Sequence, residues 1–119
     1  MDVSAKLQIK PGQRVMTLTG DGDAPAIEAP GTEPAGSPET ADVVLALVRG
    51  RADLESVAAP AIEAARRDKL AWIAYPKAGQ LGTDLNRDIL AASLAGQGVQ
   101  PVRQVAIDET WSALRFRPA

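Results

Sequence analysis

The sequence predicts an α/β domain built on a small three-layer sheet that is mostly parallel and closes with a C-terminal antiparallel hairpin. Three observations predict this class. Short apolar runs alternate with stretches whose apolar residues recur three and four positions apart, a pattern typical of strands separated by amphipathic helices. Two of the runs, 42–48 and 70–75, are apolar on both faces, as in central strands covered on both sides. The last two, 102–107 and 111–117, are joined by so short a link that they must pair antiparallel.

The remaining strand is predicted at 14–19, between two turn signals. The turn sequence Lys10-Pro11-Gly12-Gln13 precedes it, and Gly20 ends it. Gly50 and Pro76 end the second and third strands. Because helices connect the second, third and fourth strands, we expect these three to be parallel neighbours with right-handed connections.

Two helices are predicted between these strands. The first covers 53–68 with Asp53 as its N-cap, and Pro60 within it either kinks this helix or starts a second one. The second begins with Thr83 or Asp84 as its cap and runs to about residue 95. Apolar residues at helical spacing give each helix one buried side.

The segment 21–41 interrupts this pattern with a loop rich in proline, glycine and acidic residues. Its four prolines forbid a continuous helix, and at most one turn fits around 26–29. Between Arg14 and Arg49 there is no Lys or Arg but there are six acidic residues, whereas the rest of the chain carries 13 basic and 9 acidic residues. We predict a single domain, 1–119, with an acidic loop on a mildly basic body. The loop is either a solvated segment or a partner-binding one.

Composition excludes several classes of function. The chain has no cysteine and no histidine, so it cannot use disulfides, a thiol nucleophile, imidazole catalysis or the usual zinc ligands. Its net charge of −2 argues against general nucleic-acid binding. No apolar run reaches the ~18 residues of a membrane span, and the first ten residues lack the apolar core of a signal peptide. We therefore expect a cytoplasmic, bacterial-type protein with no membrane and no nucleic-acid partner.

Three segments together resemble a small bacterial family of uncharacterised domains. They are Lys10-Pro11-Gly12 with Arg14-Val15, Trp72-x-x-Tyr75-Pro76-Lys77 with Thr83-Asp84-Leu85, and Asp108-Glu109-Thr110-Trp111-Ser112-x-Leu114. The resemblance covers most of 5–20 and 42–117 and implies a small Rossmann-like fold but no activity.

The opening IKPGQRV and the closing hairpin also resemble class I S-adenosylmethionine-dependent methyltransferases. That resemblance implies a glycine-rich turn leading from the first strand into a helix, and an acidic residue after the second strand. This chain has Gly20-x-Gly22 followed by the proline-rich loop, and Arg49 stands at the second position.

Candidate site residues are expected beyond the carboxyl ends of the strands, where open α/β sheets bind ligands. The strongest group is Lys77 with Gly79, Gly82 and Thr83, because a cation, glycines and a helix N-terminus together suit a phosphate or carboxylate. The alternative is an ordinary strand-to-helix turn with a capping threonine and a solvated lysine.

Further residues expected beyond the carboxyl ends of the strands are Arg49, Asp108 and Glu109. The two carboxylates could serve acid–base chemistry, but adjacent residues in extended chain point apart, so an Asp that bonds its own hairpin turn is the favoured interpretation. Trp72 and Trp111 are expected in the core. We assign no catalytic residue and no metal ligand.

The leading hypothesis is a non-catalytic Rossmann-like module that binds a small anion or a protein partner at this edge of the sheet, with no cofactor identified. The alternatives are a reduced methyltransferase-like enzyme, to which Lys77 and Asp108 would contribute, and a structural domain that interacts through the acidic loop.

Overall fold

The computed structural model of the chain describes residues 3–20, 24–25 and 27–119. These residues form a mixed α/β domain around a six-stranded sheet of order β2-β1-β3-β4-β6-β5. The elements in chain order are α1 (Val3–Lys6), β1 (Arg14–Thr19), β2 (Glu33–Pro34), β3 (Val43–Leu47), a single 3-10 turn (Arg51–Asp53), α2 (Ala59–Arg66), β4 (Leu70–Pro76), α3 (Arg87–Leu94), β5 (Val99–Ala106) and β6 (Trp111–Pro118). No described helix is long and apolar enough to cross a membrane.

The four strands β2, β1, β3 and β4 are parallel, and β3 and β4, at the centre of the six-stranded sheet, are buried. β3 pairs with β1 on one side and with β4 on the other, and every residue of β3 is buried. The helical connection through α2 makes β3 and β4 parallel, because a crossover returns the chain to the same end of the sheet. The prediction of central strands covered on both faces is therefore confirmed for both apolar runs.

The prediction that the third and fourth strands are neighbours is wrong. β6 lies between β4 and β5 and pairs antiparallel with both. β6 is buried over most of its length, whereas β5 is mostly exposed and contains Pro101.

Two apolar clusters lie on opposite faces of the sheet. One packs α2, α3 and the preceding Leu85 against β3, β4 and β6. The other joins Trp72, Trp111 and alternate residues of the same strands to the N-terminal segment through Leu7 and Ile9, with Ile27 and Ala29 packed against it. The indole N–H of Trp72 donates to the Leu7 carbonyl at 2.9 Å. Both tryptophans are core residues, as predicted.

The helices are shorter than the sequence predicts. Over the predicted 53–68 the structure has the end of a 3-10 turn and then α2, with Pro60 in the first turn of α2, so the second alternative for Pro60 is correct. Asp53 is not a helix cap. α3 is capped by Asn86, whose side-chain oxygen accepts from the Ile89 amide at 2.8 Å, and not by Thr83 or Asp84.

Part of the predicted loop 21–41 lies outside the described residues, namely 21–23 and residue 26, the first of the turn expected around 26–29. Its later part contains a strand that the sequence analysis did not predict. Glu33–Pro34 pairs in parallel with the start of β1, and the amides of Glu33 and Ala35 donate to the carbonyls of Gln13 and Val15. Proline is compatible with this edge position because its neighbours supply the donors.

Leu114 should be a strong determinant of stability. It is fully buried on β6 opposite Ile73, on the face that carries α2. We expect Leu114→Ala to lower the free energy of unfolding by about 3 kcal/mol, because it leaves a cavity between sheet and helices. Val102→Thr is the control, since that side chain is 47% exposed and should change stability by less than about 0.5 kcal/mol. Urea denaturation measures both, and equal values would contradict the assigned packing.

Tyr75, the only tyrosine in the chain, should lose its proton at a higher pH than a tyrosine in the unfolded chain. Burial raises the pKa of its hydroxyl, and hydrogen bonds with Ser112 and Gln104 oppose this only in part. The folded protein thus holds a proton that the unfolded chain has released, so this stabilisation is complete below about pH 10 and is lost as pH rises through the folded pKa.

Tyrosinate absorbance of the native protein should therefore rise at higher pH than that of the denatured chain. Tyr75→Phe should lose less stability than the parent above about pH 10. Coincident titration curves for native and denatured protein would refute the burial effect.

Candidate functional site

The carboxyl ends of the parallel strands meet at one edge of the sheet. The Gly20 amide donates to the Leu47 carbonyl at 3.3 Å, and the Lys77 amide donates to the Thr110 carbonyl at 2.7 Å. The loops after β1, β3 and β4 therefore share this edge with the β5–β6 turn. We call the loops at 48–53 and 77–85 together with the turn at 107–110 the rim. Lys77 and Asp108 both lie on it.

Two depressions lie side by side on the rim and share Arg49 and Leu81. The first has a volume of about 350 Å³, and the chain around Pro25, Asp108 and Trp111 completes its wall. The second, of about 410 Å³, is formed by the loop after β3 and by residues 81–84. An arginine between two adjoining concavities is a natural anchor for the anionic group of a ligand.

The loop after β3 is fixed by side chains from outside the strand. Oδ2 of Asp53 accepts from the Arg49 amide at 2.8 Å, and Oδ1 of Asp84 accepts from the Arg51 amide at the same distance. The Thr83 hydroxyl donates to the Arg49 carbonyl at 2.7 Å and accepts from the Leu85 amide at 3.1 Å. The Arg49 backbone is thus held at its amide by the Asp53 carboxylate, in a charge-assisted bond, and at its carbonyl by the Thr83 hydroxyl.

Two glycines make room for these carboxylates. A Cβ atom on Gly20 would lie 2.6 Å from Oδ2 of Asp53, and one on Gly50 would lie 2.9 Å from Oδ1 of Asp84. Any other residue at either position would displace an aspartate from the amide that it holds. The glycines that end the first and second predicted strands thus permit close approach of a side chain as well as ending the strand.

The group predicted to bind an anion is only partly assembled. Gly82 and Thr83 line the second depression, whereas Lys77 and Gly79 are not among the residues that line either one. The part of the prediction in which Thr83 opens a helix is wrong, because α3 begins at Arg87. The Thr83 hydroxyl is engaged with backbone, so it serves the turn.

Asp108 and Glu109 lie in the hairpin turn. Oδ1 of Asp108 accepts from the amides of Thr110 and Trp111, at 2.8 and 2.6 Å. This is the local turn bonding that the sequence favours over an acid–base pair. Asp108 also lines the first depression, while Glu109 is exposed and does not.

The sequence does not predict three of the rim residues, which are Leu81, Asp53 and Asp84. Leu81 has φ +53° and is half exposed, an unusual combination for a large apolar residue, since the left-handed conformation costs about 1–2 kcal/mol. The available signal was its place between Gly79 and Gly82, which indicates an irregular turn. The two aspartates carried no sequence signal beyond that of helix capping.

The chain matches no family model, and no curated protein is significantly similar to it. Within the described ranges, no group of three acidic side chains could hold a metal ion.

Asp108 provides a test of the turn assignment. Asp108→Ala removes the acceptor for two amides and should lower the free energy of unfolding by about 1–2 kcal/mol. Asp108→Asn keeps an oxygen at that position and should cost less than about half as much. Chemical denaturation of both variants makes the comparison. If Asn were as damaging as Ala, the negative charge and not the hydrogen bonding would be the important property.

Proposed function

We propose that this chain is a small non-catalytic Rossmann-like module that binds an anionic small molecule with an apolar part at the rim. The observation that carries the proposal is Arg49, which lines both depressions beside the exposed side chain of Leu81. Sites at the carboxyl ends of parallel strands are the usual ligand positions in open α/β sheets.

The charges of the rim favour an amphiphilic ligand over a simple inorganic anion. Arg49 and Arg51 line the second depression, but so do Asp53 and Asp84, and Asp108 lines the first. Each of these aspartates accepts a hydrogen bond from a backbone amide, and its negative charge still repels a free anion. A ligand therefore needs further contact area, which the exposed Leu81 side chain supplies.

Methyltransferase-like activity is the weaker candidate. The antiparallel hairpin and the position of the rim favour it. Against it, none of residues 24–25 and 27–32, which follow β1, is helical, and Arg49 stands where an acidic residue would hold a ribose. S-adenosylmethionine is therefore a probe for the rim and not the proposed ligand. A protein partner for the acidic loop rests only on its charge, with Glu28, Glu33 and Glu39 exposed.

A thermal-shift comparison with phosphate, nucleotides and S-adenosylmethionine tests the proposal. A ligand held at 100 times its dissociation constant stabilises the protein by about 2.7 kcal/mol. We expect Arg49→Gln to reduce the shift caused by a probe that binds at the rim, because it removes the anchor between the depressions. Arg67→Gln is the matched control, since its exposed side chain pairs with Glu63 on α2.

Lys77→Ala separates this proposal from the sequence-based prediction. Lys77 does not line either depression, so its removal should leave the shift in place. Loss of the shift in Lys77→Ala but not in Arg49→Gln would move the site to Lys77. Absence of any shift with every probe would remove the rim as a site for these ligands.

A further inference from the structure

Three arginines lie together on the face of the sheet opposite α2 and α3, away from the rim. Arg115 and Arg117 alternate with buried residues along β6, on the same side as Trp111 and Ala113. Arg103 on β5 is the direct cross-strand partner of Arg115, so both side chains leave the same face. We call Arg103, Arg115 and Arg117 the arginine cluster.

One carboxylate neutralises one member of the cluster. Arg117 makes two hydrogen bonds to Asp68, at 3.0 and 3.2 Å. The hydrogen bond from Arg117 lowers the pKa of Asp68, and the charges of Arg117 and Arg115 lower it further. Arg103 and Arg115 form no ion pair with a carboxylate among the described residues, although they occupy directly opposed strand positions.

The contacts of Arg115 leave one of its buried nitrogen atoms without a hydrogen-bond partner in the part of the chain that the structure describes. It pairs across the sheet with Trp72, and one terminal nitrogen donates to Oε1 of Gln8 at 2.8 Å. Its Nε atom is buried and has no hydrogen-bond partner in the described chain. A partly desolvated cation opposite a second cation is unfavourable for the fold alone.

Protection of the sheet edge explains only part of the cluster. β5 is an edge strand, and Pro101, Arg103 and the irregular register between them are typical devices against edge-to-edge pairing. Arg115 lies on β6, which is paired on both sides, so edge protection does not require a charge there. A ligand that neutralises both arginines accounts for the pair.

We propose that Arg103 and Arg115 form a binding site for a phosphate-bearing small molecule on this face, separate from the rim. Two arginines on directly opposed strand positions match the double negative charge of a phosphate group, to which a planar guanidinium fork can donate two parallel hydrogen bonds. The Arg117–Asp68 pair lies beside this site and fixes its border.

Calorimetric titration with inorganic pyrophosphate in a chloride buffer tests the site. We expect Arg103→Gln to weaken binding by about tenfold or more, and Arg115→Lys to weaken it although the charge is kept, because the fork is lost. Arg67→Gln and Arg49→Gln should bind as the parent does, the latter separating this site from the rim. Malonate, which carries two carboxylates, should bind more weakly than pyrophosphate.

A parent protein that does not bind pyrophosphate, or an Arg103→Gln variant that binds it unchanged, would overturn the proposal. Loss of binding in Arg49→Gln alone would assign pyrophosphate to the rim and would also overturn it. Circular dichroism checks that each variant is folded.

Stability measurements give a second, ligand-free readout. Because like charges at directly opposed strand positions destabilise a sheet, Arg103→Gln should melt about one to a few degrees higher than the parent at low ionic strength, and added salt should close the gap. A lower melting temperature for Arg103→Gln under these conditions would contradict the repulsion on which the proposal depends.

Discussion

The insertion of β6 between β4 and β5 is the constraint on which the arrangement of this domain depends. Pairing of Pro76 with Trp111 at one end of β4 brings the turn carrying Asp108 beside the loop that starts at Lys77. Further along, the same pairing sets Arg115 between Trp72 and Arg103. A single strand order, in which β6 is buried and β5 lies at the edge, therefore brings together the parts of the rim and the arginine cluster.

Close approach of backbone and carboxylate gives the rim its rigidity. Asp53 and Asp84 each hold an amide of the loop after β3, and each occupies space that only a glycine leaves open. The position of Arg49 is thus determined by residues far from it in sequence, 34 positions away in the case of the Thr83 hydroxyl. Because this backbone is already ordered, the protein loses less conformational entropy when a ligand binds.

The two faces of the sheet are covered differently, and this separates the two proposed sites. α2 and α3 cover one face, and the N-terminal segment through Leu7 and Ile9 covers part of the other. Trp72 marks where that second apolar cluster gives way to charged side chains, because its neighbour across the sheet is Arg115. Because the N-terminal segment covers only part of this face, the positions of Arg103 and Arg115 lie outside the apolar cluster, with few acidic side chains nearby.

The sequence by itself determined the class of the domain, four of the strands to within about two residues, the buried tryptophans and the local turn of Asp108, because periodicity, turn residues and apolar runs act over short distances. It placed the carboxyl-end residues Lys77 and Asp108 on one edge. Only the tertiary structure decided that β6 separates β5 from β4, that Asp53 and Asp84 hold backbone amides instead of capping helices, and that Arg103 faces Arg115. Those outcomes depend on which surfaces are buried together and on contacts between distant segments, and no local pattern encodes either.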